Sequence, residues 1–225
     1  MASASEGKEV ILLDFWASMY AMRVRIALAE KGIDYECREE DIAAPKSPFM
    51  LQMNPVYKKV PVLIHNGKPI CESLIILQYI DEVWNDRSPL LPSDPYLKSH
   101  AMFWADFVDK KMHPAHYKIC ATKEESQEET KKEFIEILKT LEEELGDKCY
   151  FGGDNFGFVD IALVPFYNWF RTYEYFSGLS FESECPHFIA WAKRCLLKDS
   201  VSTSLPDMDK ILEMMIQYKN IKGIA

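Results

Sequence analysis

The pattern of apolar and polar positions divides the chain into two parts of different character. In EVILLDF, which begins at Glu9, apolar residues run together as they do in a short buried strand. From Met22 to Lys31 they recur at helical spacing, and Gly32 supplies the left-handed stop that commonly ends a helix. IDYECREED then alternates in polarity like a half-exposed strand. Between positions 42 and 58, Pro45, Pro48 and Pro55 leave room for loop and at most a short helix. VPVLIHNGKPICES sets Asn66-Gly67 between two apolar runs, a hairpin signal. In SLIILQYIDEVW the apolar positions 74, 75, 77, 80, 83 and 84 predict a helix whose face covers a sheet. The order of elements is βαβαββα.

Pro89, Pro92 and Pro95 in NDRSPLLPSDP predict a stiff linker over 85–95, which separates a domain at 1–84 from one at 96–225. Strand signals stop there. Thr122 and Glu125 form a T-x-x-E capping box, after which Phe134, Leu138, Leu141 and Leu145 keep helical spacing until Gly146. GFVDIALVPFYNWF places Asp160 near the start of another apolar helix, bent or weakened at Pro165, and PHFIAWAKRCLL and MDKILEMMIQYK predict two more. The fold class is therefore α/β plus all-α.

Composition narrows the function classes. With 225 residues, 48% of them hydrophobic, the chain can bury a substantial core. A formal charge of −9 argues against a general nucleic-acid binder, so an anionic ligand has to meet locally placed lysines. Cys37, Cys71, Cys120, Cys149, Cys185 and Cys195 have neither CxxC nor CxH spacing; reduced thiols and no metal site are expected. MASASEGKEVILLD falls short of the apolar run of a secretion signal, and no later stretch approaches membrane-spanning length. A soluble, cytoplasmic protein is expected.

A βαβαββα order is that of the thioredoxin-like fold, whose redox members carry CxxC at the start of the first helix. The corresponding place here reads Ser18-Met19-Tyr20-Ala21, without an attacking thiol. A helix N-terminus still offers free N–H groups and about half a positive charge, and a serine hydroxyl adds a donor. Such a site suits a thiolate belonging to another molecule. One hydrogen bond to the charged sulfur, at roughly 1.5–3 kcal/mol, and a dipole contribution of roughly 0.3–1 kcal/mol lower a thiol pKa of about 8.5 by about two units. Ser18 as a plain helix cap is equally compatible with the spacing. In CESL, Ser73 can cap the next helix while Glu72 stays free, because the residue three places on is Ile76. That pair suits a zwitterion: Glu72 takes an ammonium, and Ser73 with the helix N–H groups takes a carboxylate. Capping alone would also explain it. Lys58-Lys59 before Val60-Pro61 can hold a second carboxylate or can simply be solvated.

These segments together resemble the plant tau-class glutathione transferases, from LLDFWASMYAMRVRIALAEKG through NPVYKKVPVLIHNGKPICESLIILQYIDEVW to FGGDNFGFVDIALVPFYNWF and ECPHFIAWAKRC. The resemblance implies a thioredoxin-like N-terminal domain, a helical C-terminal domain and glutathione as co-substrate without a metal. By position, Ser18 matches the serine that stabilises the glutathione thiolate, and Lys46 and Lys59 match residues that hold the glycyl carboxylate. Val60, before a proline the family keeps cis, would pair its backbone with the cysteinyl unit; Glu72 and Ser73 would hold the γ-glutamyl end. An electrophile pocket in a cleft between domains would be lined by His113, Tyr117, Cys120, Trp169 and Met214, and Asp160 resembles the family's helix-capping aspartate. The implied activity is conjugation of glutathione to small hydrophobic electrophiles in detoxification, with peroxide reduction on the side; the alternative is a non-catalytic carrier of such ligands. A homodimer is implied, with neither nucleic acid nor membrane as partner. One departure stands out: the family commonly reads PSPFGMR around the serine, and this chain reads ASMYAMR. Two lost prolines would loosen the turn that holds Ser18.

Overall fold

The structure, a computed structural model, describes residues 9–41, 44–121 and 127–222. It divides into two compact units, Met1–Ser88 and Pro89–Ala225. The first contains β1 (Val10–Asp14), α1 (Met19–Glu30), β2 (Glu36–Glu39), α2 (Pro48–Met53), β3 (Val62–His65), β4 (Lys68–Cys71) and α3 (Ser73–Val83). This is the βαβαββα order expected from the apolar pattern.

The strands form one sheet in the order β2-β1-β3-β4. β1 pairs parallel with β2, β3 runs antiparallel to β1, and β4 runs antiparallel to β3. Side chains alternate across the sheet, so the in-register neighbours Leu13 and Val62 fall on one face with Ile64, where Met50 of α2 covers them. Leu12 and its partner Leu63 fall on the other face, where α1 packs against α3. The Asn66-Gly67 hairpin has positive φ at both positions, 51° and 76°, the conformation that a two-residue turn of this hand requires.

One boundary and one buried face differ from expectation. α1 starts at Met19, three residues before the periodic pattern becomes clear, because Ser18 caps it. It stops as expected: Gly32 at φ 60° lets its own N–H reach Ala29 O and that of Ile33 reach Leu28 O. α3 buries Ser73, Ile76, Leu77 and Ile80, whereas Ile75 and Val83 are 54% and 41% exposed. Its apolar residues cover more than half the helix circumference, so the pattern alone did not select the buried arc. At their C-terminal ends α1 and α3 are tied by buried Lys31, whose Nζ lies 2.7 Å from Asp81 Oδ1.

The second unit is helical: α4 (Pro95–Ala121), α5 (Gln127–Leu145), α6 (Phe158–Tyr167), α7 (Phe170–Ser177), α8 (Phe181–Glu184), α9 (Pro186–Leu196), α10 (Asp199–Ser202) and α11 (Met208–Lys222). Phe134, Leu138, Leu141 and Leu145 are buried along α5. The capping box expected at Thr122 and Glu125 lies outside the described residues. The core is aromatic, with Phe170 4.5 Å from Phe181 and Phe188 5.0 Å from Trp191 between ring centroids. α6 continues through Pro165.

Asp160 sits in the first turn of α6. Its Oδ2 accepts from the Gly157 N–H at 3.0 Å, and its Oδ1 accepts from the Phe151 N–H at 3.0 Å and Trp191 Nε1–H at 2.8 Å. Gly157 has no side chain to return the bond, so this is one half of a capping box, closed by distant residues instead. Among the described residues no helix is long and apolar enough to cross a membrane. All six cysteines are free.

Candidate functional site

Strand directions bring the expected residues of the first unit to one place. β1 and β4 run the same way, since each is antiparallel to β3, so both end at the same edge of the sheet and α1 and α3 both begin there. β3 begins at that edge: Val62, its first residue, is in register with Leu13 of β1 and Cys71 of β4. Val60, two positions earlier, therefore lies beyond the ladder beside the two helix starts. The Val60–Pro61 bond is cis, as the resemblance implies. Ser18, Val60, Glu72 and Ser73 share this edge, the C-terminal end of parallel strands where open α/β sheets place ligands.

Ser18 is half-buried at the N-cap of α1, and its Oγ accepts from the Ala21 N–H at 3.2 Å. The capping and donor readings are thus compatible. A hydroxyl has one hydrogen to give and two lone pairs to receive, so accepting from the helix leaves its O–H available to an anion in front of it. The turn is held without the family's prolines: Ala17, Met19 and Ala21 are all buried, and the Ser18 N–H donates to Phe15 O at 2.8 Å.

At α3 the assignment of roles shifts. Glu72, not Ser73, occupies the N-cap position, and it makes no side-chain capping bond. Ser73 is the first helical residue and does not cap; its Oγ accepts from Arg23 Nη1–H at 3.0 Å, inside the protein. The cap expected of Ser73 fails because its backbone is already helical, which aims the side chain away from the first-turn N–H groups. Glu72 is exposed and has φ 69° and ψ 117°, which lies outside even the left-handed helical well. A residue other than glycine there costs about 1–3 kcal/mol, and such strain clusters at ligand sites. Glu72 thus presents a free carboxylate beside an uncapped helix start.

Lys46 and Lys59 are both exposed. Lys46 precedes Ser47, the N-cap of α2, on the segment that leaves the same sheet edge after β2. The turn carrying Lys59 is braced by Asn54, whose Nδ2–H donates to Lys59 O at 3.0 Å and whose Oδ1 accepts from the Tyr57 N–H at 3.1 Å.

One further acidic group stands at the ends of β1 and β2. Potential ligand atoms of Asp14, Cys37 and Glu39 lie within 4.8 Å of one another. Arg25 Nη1 is 3.5 Å from Asp14 Oδ2, and Glu39 accepts from the Trp16 N–H at 2.7 Å, so these groups brace the turn before Ser18. Burial first, then the neighbouring Asp14 charge, pushes the Cys37 thiol up to about 11, which makes it a poor nucleophile.

The expected pocket residues all belong to the second unit. His113 and Tyr117 of α4 meet edge to face at 4.8 Å between ring centroids. His116, which the sequence reading missed, lies 5.0 Å from the Tyr117 ring and 4.9 Å from that of Trp169, joining them. Its signal was its place in the chain, between His113 and Cys120 at helical spacing. Burial holds the His116 imidazole neutral by lowering its pKa to about 3. Cys120 is buried, which pushes its thiol up to about 12 against the pull of Lys219. Met214 is half-buried on α11.

Residues 8–82 match the family model for the glutathione S-transferase N-terminal domain, and residues 94–199 match that for the C-terminal domain. Glutathione S-transferase U19 of Arabidopsis thaliana is 62% identical over 211 residues, which span 94% of this chain and 96% of the relative. The probable glutathione S-transferase parC of Nicotiana tabacum is 62% identical over 92% of this chain and 94% of its own. Among solved structures, a rice tau-type transferase in complex with glutathione superposes with a TM-score of 0.91 at 45% identity, covering 95% of this chain and 99% of that one.

Proposed function

This chain belongs to the glutathione S-transferase family, and on that premise we propose that Ser18 is its catalytic residue, donating a hydrogen bond to the sulfur of bound glutathione. The protein is a glutathione transferase of the tau class, with a thioredoxin-like domain followed by a helical one. The observation that carries the site reading is the state of the Ser18 hydroxyl: its oxygen is engaged by the helix and its hydrogen remains for a ligand.

In this reading glutathione lies along the common sheet edge. Glu72 takes the γ-glutamyl ammonium, and Ser73 with the first N–H groups of α3 takes the neighbouring carboxylate. The Val60 backbone pairs with the cysteinyl unit, and Lys46 and Lys59 attract the glycyl carboxylate. The cysteinyl sulfur then faces Ser18 and the N-terminus of α1. Its thiol proton leaves to solvent, and the thiolate is stabilised by the hydroxyl and the helix dipole. The sulfur lone pair forms the new bond to an electrophilic carbon while the leaving group departs with the electron pair of the bond it breaks.

Small hydrophobic electrophiles are the fitting second substrates, supported by the aromatic group of His113, Tyr117 and Trp169. The working form in this reading is a cytoplasmic homodimer, for which exposed Ile75 and Val83 on α3 offer an apolar face. Replacing Ile75 with Glu would then shift the sedimenting species towards monomer.

The deciding experiment compares wild type with Ser18→Ala in conjugation of a chloronitrobenzene, together with ultraviolet titration of the bound thiol. Rate falls by about tenfold to a hundredfold and the thiol pKa returns towards about 8.5. An unchanged rate would remove Ser18 from the mechanism. Tight glutathione binding by wild type without turnover would turn the reading to a carrier.

A further inference from the structure

Arg23 is wholly buried one turn into α1, and its side chain reaches the start of α3. Its Nη1–H donates to Ser73 Oγ at 3.0 Å, and its guanidinium carbon lies 4.9 Å from the centre of the Tyr20 ring. Tyr20 stands in the first turn of α1, two positions after Ser18, and Ser73 opens α3. One buried cation therefore touches both helix starts.

We propose that Arg23 is a positioning residue for glutathione: it fixes and polarises the Ser73 hydroxyl towards the γ-glutamyl carboxylate and ties that subsite to the turn that carries Ser18. The proposal rests on the assignment of Ser73 to the γ-glutamyl carboxylate made above. By donating an N–H hydrogen bond to Ser73 Oγ, Arg23 occupies a lone pair of the hydroxyl and turns the O–H hydrogen outward, and a positive donor strengthens the hydrogen bond passed on to an anion. The positive charge acts through a low dielectric, one hydrogen bond from the carboxylate. A lysine is not equivalent, because the guanidinium carries its donors in a fixed fork, so that it meets the Tyr20 ring and Ser73 in one geometry, whereas an ammonium is a mobile point charge. The function of the arrangement is selectivity: it favours a thiol that bears a γ-glutamyl group over one that lacks it.

The test measures kcat and KM for two thiols, glutathione and cysteinylglycine, which lacks the γ-glutamyl unit, with a chloronitrobenzene as electrophile. Arg23→Lys raises the KM for glutathione about tenfold and leaves kcat/KM for cysteinylglycine within about twofold of wild type. Arg23→Lys combined with Ser73→Ala is no worse than Ser73→Ala alone, because both act through one hydroxyl. Equal losses for both thiols, or additive losses in the double variant, would overturn the proposal and leave Arg23 a structural residue. If Ser73→Ala raises the KM for glutathione and Arg23→Lys does not, this proposal alone fails. If Ser73→Ala leaves that KM unchanged, the γ-glutamyl assignment fails first and the proposal with it. Should Arg23→Lys not fold, Tyr20→Leu loosens the guanidinium from a half-buried position: a rise in KM confined to glutathione supports the proposal, and a response shared by both thiols overturns it.

Discussion

Asp160 and Glu72 each stand at the start of a helix, and the protein uses the two carboxylates in opposite ways. At α6 the carboxylate is buried and saturated by Gly157, Phe151 and Trp191. At α3 it is exposed, makes no capping bond and sits in a strained backbone. Both places attract negative charge through the helix dipole. A structural helix start consumes that attraction internally and is closed to ligands. In the proposed reading, the start of α3 leaves its first N–H groups for a ligand and keeps the acid nearby for a cation. The Ser18 site is intermediate, with the oxygen committed to the helix and the hydrogen available.

Several substitutions sharpen or break this contrast. The largest effect is expected from Asp160→Ala, which strands three buried donors at about 1–3 kcal/mol each. Urea unfolding should show at least about 3 kcal/mol lost, with the glutathione KM of the remaining folded protein unchanged. A changed KM at full stability would erase the distinction between the two helix starts.

Next comes pH. Burial raises the Asp160 carboxyl to about 6 from 3.8, against the hydrogen bonds that pull it down. The folded state therefore binds the Asp160 proton more tightly than the unfolded chain. The stability this gives is complete below pH 3.8 and gone above about 6, with a slope of about 1.4 kcal/mol per pH unit between them. Asp160→Asn should flatten that part of the stability–pH curve relative to wild type. Identical curves would show that the carboxyl is not shifted.

Glu72→Gly reverses the sign expected of a deletion. Glycine adopts positive φ without cost, so the variant should gain about 1 kcal/mol in stability, read as a higher Tm, while its KM for glutathione rises about tenfold or more. A loss of stability would mean that Glu72 serves the helix after all. The smallest effect is on the stability of Ser18→Ala, about 0.5–1 kcal/mol for a lost N-cap, far less than its effect on rate. Thermal unfolding measured beside the kinetic assay separates the two.

The features that the sequence made legible rest on contacts between near neighbours. Gly32 ends α1, Asn66-Gly67 turns the hairpin, and Leu138, Leu141 and Leu145 mark the buried stripe of α5, each within one or two turns of chain. Ser18 and Glu72 were legible as chemistry, because a hydroxyl and a carboxylate at strand-to-helix junctions are few in kind. Their roles were less so. The cap expected of Ser73 gave way to a bond from Arg23, and the face of α3 could not be phased from a helix apolar on most sides. His116 escaped notice because nothing in its neighbours shows that Trp169 lies against it.

By itself the sequence determined the order of elements, their turns and stops, and which residue types could hold a thiol, an ammonium and two carboxylates, since these follow from local backbone preference and side-chain chemistry. The tertiary structure alone decided that β1 and β4 end together, so that Ser18 and Ser73, far apart in the chain, share one edge. It also decided which acid is closed and which is open: Asp160 is saturated by Trp191, 31 positions away, and Arg23 reaches Ser73 across 50. Such pairings depend on how the strands and helices pack, and no window of neighbouring residues contains them.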